Sequence, residues 1–389
     1  MQRIRTSNLV PGMISAEDVY SYNNQLILPK GSELNDKLIT RLEFYSILAI
    51  QVEDEIPNKS GSDPSNELES IVNSLGDSFS VKEEIVDFSS VSATNENSTY
   101  SEKIKATTQF KEFKKSFISN SEALQGNLNA IVKSNAPIDT THMLTSVTDL
   151  ISEGSTSISI FDMLHNMRGY DDLTYVHSMS VSLICNIFGK WLNLNDEDIK
   201  VLTIAGLLHD IGKLLIPDSI LKKPSKLTDK EYNIIKTHTL QGYNILKDKN
   251  IDNRIKNAAL LHHERYDGSG YPLGYSGNKL DLFTKIVSIA DVYDAMTAAR
   301  VYRGPLCPFK VIAIFEAEGL QKYDSQLILT FLGHITDTYL NNRVRLNDGT
   351  QGDVVMINRD LLSKPMIKTL DNRFINLKEH PELFIEELI

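Results

Sequence analysis

The stretch from Gly206 to Pro272 constrains the fold more than any other part of the chain. It places polar residues that can bind metal inside segments that otherwise have the composition of apolar helices. These residues are His209, Asp210, His238, His262 and His263. Imidazole and carboxylate groups that project from helix-forming segments are typical of metal sites built between helices. The stretch therefore predicts a helical scaffold that is organised around bound metal.

The region from residue 105 to residue 340 has the three-to-four-residue apolar period of helices almost throughout. Asp139 and Thr140 are suited to cap the first well-defined helix. Further helices are predicted over residues 174–192, 196–211, 228–247, 252–263, 282–299, 308–318 and 325–340. Pro308 at a helix start and Gly319 just after its end fit the usual preference for these residues. We therefore expect a mainly α protein whose main domain, residues 105–340, is a helical bundle.

The segments on either side of this domain differ from it in composition. Residues 1–55 alternate strand-like pieces with a short helix and predict a small α+β module, in which Asn23-Asn24 forms a hairpin turn. Residues 56–104 are rich in Ser, Asn, Asp and Glu and predict a polar, flexible linker. Residues 341–389 predict a small β-containing appendage, with a turn at Asp348-Gly349.

Composition excludes several classes of function. The chain of 389 residues has a net charge of −11, which argues against general binding to the phosphates of nucleic-acid polymers. Its two cysteines, Cys185 and Cys307, lack the spacing of a CxxC motif and predict free thiols in a reduced compartment. The N-terminus lacks the apolar segment of a signal peptide, and no apolar run approaches the length of a membrane span. We expect a cytoplasmic protein without membrane insertion.

Two more residues of the helical region extend the set of candidate ligands. His177 and Asp291 also interrupt apolar helices, and a buried carboxylate without a cation or hydrogen bonds is costly. Seven candidate ligands exceed what one ion needs, so two metals are expected, with a carboxylate able to bridge them. A set of imidazoles and carboxylates without thiolate suits iron, manganese or zinc and does not select among them.

Two such ions about 3.5–4 Å apart can bind a phosphodiester, activate a water and stabilise the leaving oxygen, which predicts hydrolysis at phosphorus. Lys213 follows His209 by about one helical turn and could neutralise a phosphate oxygen. After His263 comes a loop in which Gly268 and Gly270 allow close approach of the backbone to a ligand, and Tyr271 could stack on a base.

The motifs HDIGK (residues 209–213), HHERYDGSGYP (262–272) and IADVYDAMTAARVYR (289–303) resemble the HD-GYP branch of the HD-domain metal-dependent phosphohydrolases. The resemblance covers about residues 172–340. A weaker resemblance links residues 9–42 to a small domain often attached to that family. The branch implies an HD-type helical bundle and a bacterial cyclic di-GMP phosphodiesterase, which lowers the level of this second messenger by producing pGpG and, in some members, GMP.

The resemblance also implies roles for individual residues. The metal ligands would be His177, His209, Asp210, His238, His262, His263 and Asp291. Asp210 would bridge two divalent ions, iron or manganese, and Asp210 and Lys213 would be the catalytic residues. Lys213, Tyr271, Arg300 and Arg303 would contact the substrate, with Arg303 standing where the family often has lysine. Leu173 occupies the position at which three-metal members supply a further carboxylate, so two ions are expected here.

Two other functions remain open from the sequence alone. One is a receptor or scaffold that binds a cyclic dinucleotide without hydrolysing it, which the intact ligand set disfavours. The other is a phosphodiesterase for another cyclic dinucleotide such as cyclic GMP-AMP, since no residue pattern selects guanine over adenine. Contacts with signalling proteins through the N-terminal module or the Gly-rich loop, and a homodimer, are compatible with the sequence.

Overall fold

The computed structural model of the chain describes residues 2–5, 9–20, 26–35, 38–39, 42, 49–53, 100–154, 160–167, 173–223, 225, 227–298 and 306–389. The chain divides into two compact units, residues 1–90 and residues 91–389. The predicted linker, residues 56–104, lies outside the described residues up to Tyr100, where the helix Tyr100–Ala106 begins.

The first unit contains two antiparallel strand pairs. Strand β1 (Gln2–Arg5) pairs with β4 (Ala49–Val52), and β2 (Val19–Tyr20) pairs with β3 (Leu26–Leu28). The predicted turn at Asn23-Asn24 lies between β2 and β3 but outside the described residues. A small apolar core holds the pairs together and consists of Leu9, Val19, Leu28, Leu34, Leu42, Ile50 and Val52.

The second unit is mainly helical, as the apolar period predicted. In chain order its described helices begin with α1 (Tyr100–Ala106), α2 (Thr108–Ser134), α3 (Thr140–Gly154), α4 (Ile160–Asn166), α5 (Leu173–Trp191) and α6 (Asp196–Leu208). There follow α7 (Asp218–Leu221), α8 (Asp229–Lys236), α9 (His238–Leu246), α10 (Asn253–Leu261), α11 (Leu282–Thr297), α12 (Pro308–Ile314), α13 (Leu320–Lys322) and α14 (Ser325–Asp337). None of the described helices is both long and apolar enough to cross a lipid bilayer.

Side-chain caps explain several of the helix starts. Asp139 accepts the backbone N–H of His142 at 3.0 Å, as its position before α3 predicted. Thr228 and Glu231 form a reciprocal capping box at the start of α8. Pro308 occupies the first turn of α12, where the missing N–H of proline leaves no helical hydrogen bond unmade.

Three predicted helix boundaries are wrong. Residues 228–247 form two helices rather than one, because the Thr237 hydroxyl and the His238 Nδ1 donate to carbonyls of the preceding turn and break the helix there. Helix α6 ends at Leu208, so that Asp210 lies just beyond it rather than inside an apolar helix. Gly319 does not end α12, which continues through a π-helical turn into α13.

The C-terminal residues form a five-stranded antiparallel sheet. Its strands are β5 (Arg343–Leu346), β6 (Gln351–Met356), β7 (Met366–Thr369), β8 (Phe374–Asn376) and β9 (Ile385–Leu388), in the order β8-β7-β6-β5-β9. The turn predicted at Asp348-Gly349 connects β5 and β6, and Gly349 has a φ of +87°. The other three strands were not predicted from the sequence.

The middle of the helical bundle brings the candidate ligands together. Helix α5 packs closely on α6, where a Cβ on Gly206 would lie 3.0 Å from both the Ser182 Cα and the Cys185 Sγ. Helix α10 packs on α6, α9 packs on α10 and on the turn Ile211–Leu215, and α11 contacts α5, α6 and α10. The segments that contain the predicted ligands are therefore direct neighbours in space.

Candidate metal centre

Seven side chains that the sequence pattern selected converge in this helical body, where they form two groups of possible metal ligands. The first group is Asp210, His238, His262 and His263, and the second is His177, His209 and Asp291. Within each group the ligand atoms lie within 4.8 Å of one another. All of these residues are buried except His263, which is partly exposed. The structure thus brings together all seven residues that the sequence selected, and their role as metal ligands stays a prediction.

Asp210 connects the two groups through its two carboxylate oxygens. Its Oδ1 lies 3.2 Å from His238 Nε2 and 3.6 Å from His262 Nε2. Its Oδ2 lies 3.4 Å from His209 Nε2 and 3.6 Å from His177 Nε2. Each oxygen therefore faces a different group, which is the position that a bridging carboxylate requires.

Backbone hydrogen bonds fix the rings of three histidines. The Nδ1 atoms of His209, His238 and His262 each donate to a carbonyl three or four residues earlier in the chain. The acceptors are the carbonyl oxygens of Gly206 at 2.7 Å, Ile235 at 2.7 Å and Ala258 at 2.9 Å. Since a carbonyl can only accept, the proton must lie on Nδ1, and the Nε2 of each neutral ring presents a lone pair to the centre. A metal ion requires this tautomer of an imidazole that binds through Nε2.

Two buried polar atoms at the centre have no hydrogen-bond partner among the described residues. Among the described residues, His209 Nε2 and Asp210 Oδ1 have no hydrogen-bond partner. The Nε2 atoms of His238 and His262 lie 3.3 Å apart, so that two lone pairs face each other. A buried polar atom without a partner costs roughly 1–3 kcal/mol, and a cation placed among these atoms would relieve that cost. The donor set therefore fits divalent metal ions.

Helix ends add to the preference for cations. His209 directly follows the last residue of α6, and His262 directly follows the last residue of α10. The C-terminal end of a helix has a partial negative charge, so both ends favour positive charge at the centre.

Helix α11 supplies two carboxylates to one histidine of α5. The Nε2 of His177 lies 3.0 Å from Asp291 Oδ1, while its Nδ1 donates to Asp294 Oδ2 at 2.7 Å. Asp294 was not among the predicted site residues. A carboxylate that accepts from a ligand histidine fixes the ring and increases its basicity. The sequence did contain a signal for Asp294. It is a second acidic residue in the same apolar helix, and it follows Asp291 by about one helical turn.

The electrostatics of the centre match these contacts. Burial by itself would raise the pKa of Asp210, but Lys213 and His209 hold it well below its ordinary value. Burial would lower the pKa of His209, yet the carboxylates of Asp210 and Asp291 raise it to about 10. Burial lowers the pKa of His262 to about 4. The carboxylates are thus ionised at neutral pH, and without a cation beside them they hold a proton on His209. A bound metal ion would replace that proton and leave His209 neutral, as His262 already is.

Lys213 contacts the bridging position directly. It lies in a 3-10 turn, Ile211–Leu215, and its Nζ forms a salt bridge with Asp210 Oδ2. Gly212 allows this turn to pack against the start of α9, because a Cβ at that position would lie 1.9 Å from the carbonyl oxygen of His238. The predicted phosphate contact of Lys213 remains a prediction.

The Gly-rich loop is fixed beside the ligands by a residue that was not predicted. Buried Glu264 accepts the backbone N–H groups of Leu273 at 2.6 Å and Tyr275 at 3.0 Å. A Cβ on Gly270 would lie 2.4 Å from the backbone of Glu264, so only glycine fits there. The ring of Tyr271 stacks on that of His263, with centroids 4.7 Å apart. The loop therefore presents a tyrosine at the edge of the centre, and the predicted contact of Tyr271 with the substrate stays a prediction.

Three residues of the sequence-based hypothesis cannot be placed with this group. Arg300 and Arg303 lie outside the described residues. Leu173 begins helix α5, but its side chain is outside the described part of the chain. The predicted substrate contacts of the two arginines, and the two-ion count that depends on Leu173, therefore stay predictions.

Comparisons with known proteins agree with this geometry. Residues 156–327 match the family model of the HD domain. Cyclic di-GMP phosphodiesterase PA4108 of Pseudomonas aeruginosa is 33% identical over 236 residues, which cover 59% of this chain and 56% of the relative. The response regulator RpfG of Xanthomonas campestris pv. campestris, a cyclic di-GMP phosphodiesterase, is 38% identical over 38% of this chain and 40% of its own length. The 3'3'-cGAMP-specific phosphodiesterase 1 of Vibrio cholerae is 42% identical over 40% of this chain and 36% of its own length.

Residues 156–327 thus match the HD domain. The similarity to these phosphodiesterases agrees with the predicted resemblance to the HD-GYP branch. The chain spans 56%, 40% and 36% of the lengths of the three relatives. A solved structure of Bd1817, an HDG"Y"P protein from Bdellovibrio bacteriovorus, is 16% identical with a TM-score of 0.45, and the match covers 86% of this chain and 99% of that one.

Proposed function

We propose that the chain is a metal-dependent phosphodiesterase that hydrolyses cyclic di-GMP to linear pGpG, with GMP as a further product. The observation that carries the proposal is the position of Asp210, whose two oxygens face two separate groups of metal ligands. Such an arrangement suits hydrolysis of a phosphodiester better than a structural metal site, because structural sites close the coordination of one ion.

The cofactor in this proposal is a pair of divalent ions, iron or manganese. When bound, the ions would supply Lewis acidity to the phosphate and lower the pKa of a water. The chain itself would contribute four functions. The Nε2 atoms and carboxylates hold the ions, Asp210 fixes the distance between the two groups, Lys213 keeps Asp210 ionised, and burial limits the access of bulk water.

A second candidate is a phosphodiesterase for a mixed cyclic dinucleotide. It is favoured by the 42% identity to a relative named as specific for 3'3'-cGAMP. A receptor that no longer hydrolyses is less well supported, since every predicted metal ligand is retained and assembled. In our proposal the substrate is the main partner, and signalling proteins, a homodimer and a cytoplasmic location are further expectations.

The experiment that tests the proposal is a product profile. Protein purified without oxygen and loaded with ferrous or manganous ion is incubated separately with cyclic di-GMP and 3'3'-cGAMP, with Asp210→Ala as the control. We expect pGpG and GMP from cyclic di-GMP in the wild type alone. Faster turnover of 3'3'-cGAMP would favour the second candidate. Binding without hydrolysis of either nucleotide under both metals would establish the receptor instead.

A further inference from the structure

A lysine lies between two tyrosine rings at the edge of the candidate metal centre. Lys236 is the last residue of α8, and its Nζ lies 5.2 Å from the ring centroid of Tyr232 and 5.9 Å from that of Tyr271. Tyr271 stacks in turn on His263. The three side chains, here called the Tyr-Lys cluster, thus extend from a metal ligand outwards, and Tyr232 at the outer end is 48% exposed.

The charge of Lys236 is not neutralised by a nearby acid. Within the described residues, no carboxylate forms a salt bridge with its Nζ. The two lysines that precede α8 behave differently, because Lys222 pairs with Asp218 at 2.9 Å and Lys223 pairs with Glu231 at 2.7 Å. In a chain with a net charge of −11, a lysine that contacts two aromatic rings and has no salt bridge within the described residues has donors available for a ligand.

The chemistry of the cluster suits a nucleobase, and one base in particular. Aromatic side chains stack on any base, because every base has a π face. A lysine that approaches the edge of a purine discriminates, because guanine presents two acceptors, O6 and N7. Adenine presents N7 beside an amino group that donates. A cation at this edge therefore favours guanine.

We propose that the Tyr-Lys cluster binds one base of the cyclic dinucleotide and selects guanine over adenine. Tyr232 and Tyr271 contact the faces of the base, and the Lys236 ammonium donates to its O6 and N7. This assignment deepens the proposed function and rests on it for the identity of the whole substrate. It assigns Tyr232 and Lys236 to substrate recognition, which the motifs of the sequence did not.

The first test measures nucleotide binding without any hydrolysis. Full-length manganese-loaded protein is titrated calorimetrically with GMP and with AMP. We expect Lys236→Met to weaken GMP binding by about tenfold and to change AMP binding by less than about twofold. Lys236→Arg should keep the preference for GMP, because its guanidinium also donates to O6 and N7. Lys230→Met, an exposed lysine on the same helix, is the matched control and should bind both nucleotides as the wild type does.

The tyrosine of α8 gives an independent variant. Tyr232→Ala should weaken GMP and AMP binding by similar factors, because stacking does not distinguish the two purines. Tyr232→Phe should retain binding of both. Selective loss of GMP binding in Tyr232→Ala would contradict the stacking role.

The second test uses hydrolysis of cyclic di-GMP and cyclic di-AMP. Lys236→Met should lower the ratio of their kcat/KM values by about tenfold, mainly through the KM for cyclic di-GMP, with metal content unchanged. A joint fall of kcat and metal content would indicate a structural role and overturn the assignment. So would a wild-type protein that binds GMP no better than AMP. A wild type that prefers GMP in binding but hydrolyses neither cyclic dinucleotide would retain the base site and refute the proposed hydrolysis.

Discussion

Two carboxylates of the second unit, Glu316 and Asp210, are both buried, but their pKa values are shifted in opposite directions. Glu316 lies in the π-helical turn after α12 and accepts the backbone N–H groups of Leu362 at 2.6 Å and Ser363 at 3.4 Å. Burial raises its pKa to about 7. Asp210 is just as buried, but its pKa is lowered, and its Oδ1 has no hydrogen-bond partner among the described residues.

This difference in pKa distinguishes a carboxylate with a structural role from one that is suited to bind a cation. Glu316 joins the helices to the C-terminal sheet, and backbone donors or a proton can satisfy it without any outside group. Asp210 has cationic neighbours that keep it ionised, yet one of its oxygens remains open. Burial of an acid is therefore not by itself a sign of a functional site. An ionised acid with an open oxygen among imidazole lone pairs is such a sign.

The largest effect is expected from removing the charge of the open carboxylate. Asp210→Asn keeps the size of the side chain but removes the anion that faces both ligand groups. We expect hydrolysis of cyclic di-GMP to fall by at least about 1,000-fold and bound metal per chain to decrease. Turnover assays and elemental analysis of the purified variant measure the two effects. Near-normal turnover would refute the role of Asp210 at the centre.

The satisfied carboxylate should affect stability and its dependence on pH. Because the pKa of Glu316 rises from its ordinary 4.5 to about 7, the folded protein binds more protons than the unfolded chain between these values. This contribution to the free energy of unfolding is therefore largest below pH 4.5 and is lost as the pH rises towards 7. The loss is roughly 3 kcal/mol.

Urea unfolding of the wild type and Glu316→Gln between pH 5 and 8 measures this contribution, since the amide does not titrate. We expect the unfolding free energy of the wild type, relative to that of Glu316→Gln, to fall as the pH rises from 5 towards 7. Glu318→Gln is the control, because Glu318 is exposed and Lys322 lowers its pKa below this range. The same pH dependence in wild type and Glu316→Gln would contradict the assignment.

The smallest of the three effects is expected from Asp294. In our proposal it does not bind metal, and its carboxylate holds the ring of His177. Asp294→Ala removes the acceptor of the His177 Nδ1 proton. We expect metal affinity to fall by about 10–100-fold, because the ring loses its fixed orientation and part of its basicity. Asp294→Asn, which keeps an acceptor, should recover part of it. Titration with manganous ion, followed by electron paramagnetic resonance, gives the affinities directly.

The sequence located the residues of the candidate centre better than it located the helix boundaries around them. His238 lies in the centre with the other selected residues, but its helix was expected to continue from α8. The break arises because Thr237 and His238 compete for helix carbonyls, and such local competition depends on the rotamers of both side chains. Similarly, Gly319 was expected to end a helix, but it lies within the π-helical turn Phe315–Gly319. In this turn the carboxylate of Glu316 accepts the backbone N–H of Leu362.

Residues that act through other residues were also beyond the sequence. Glu264 follows the histidine pair, but only the folded loop brings Leu273 and Tyr275 to its carboxylate. Three of the five C-terminal strands were missed because their sequences, MIKT, FIN and IEEL, lack a clear alternation of apolar and polar residues. The β5–β6 hairpin was predictable because Asp348-Gly349 has a strong local turn preference.

The hydrogen bonds from Nδ1 to helix carbonyls have a consequence for the order of events in assembly. His209, His238 and His262 are held by donors and acceptors of the chain alone. In a zinc finger the ligands gather only when the ion arrives, so that binding and folding are one process. Here the apolar bundle orients the imidazoles in advance. We therefore expect the polypeptide to fold first and to take up its ions afterwards, which lets the supply of iron or manganese set the active fraction without setting the amount of folded protein.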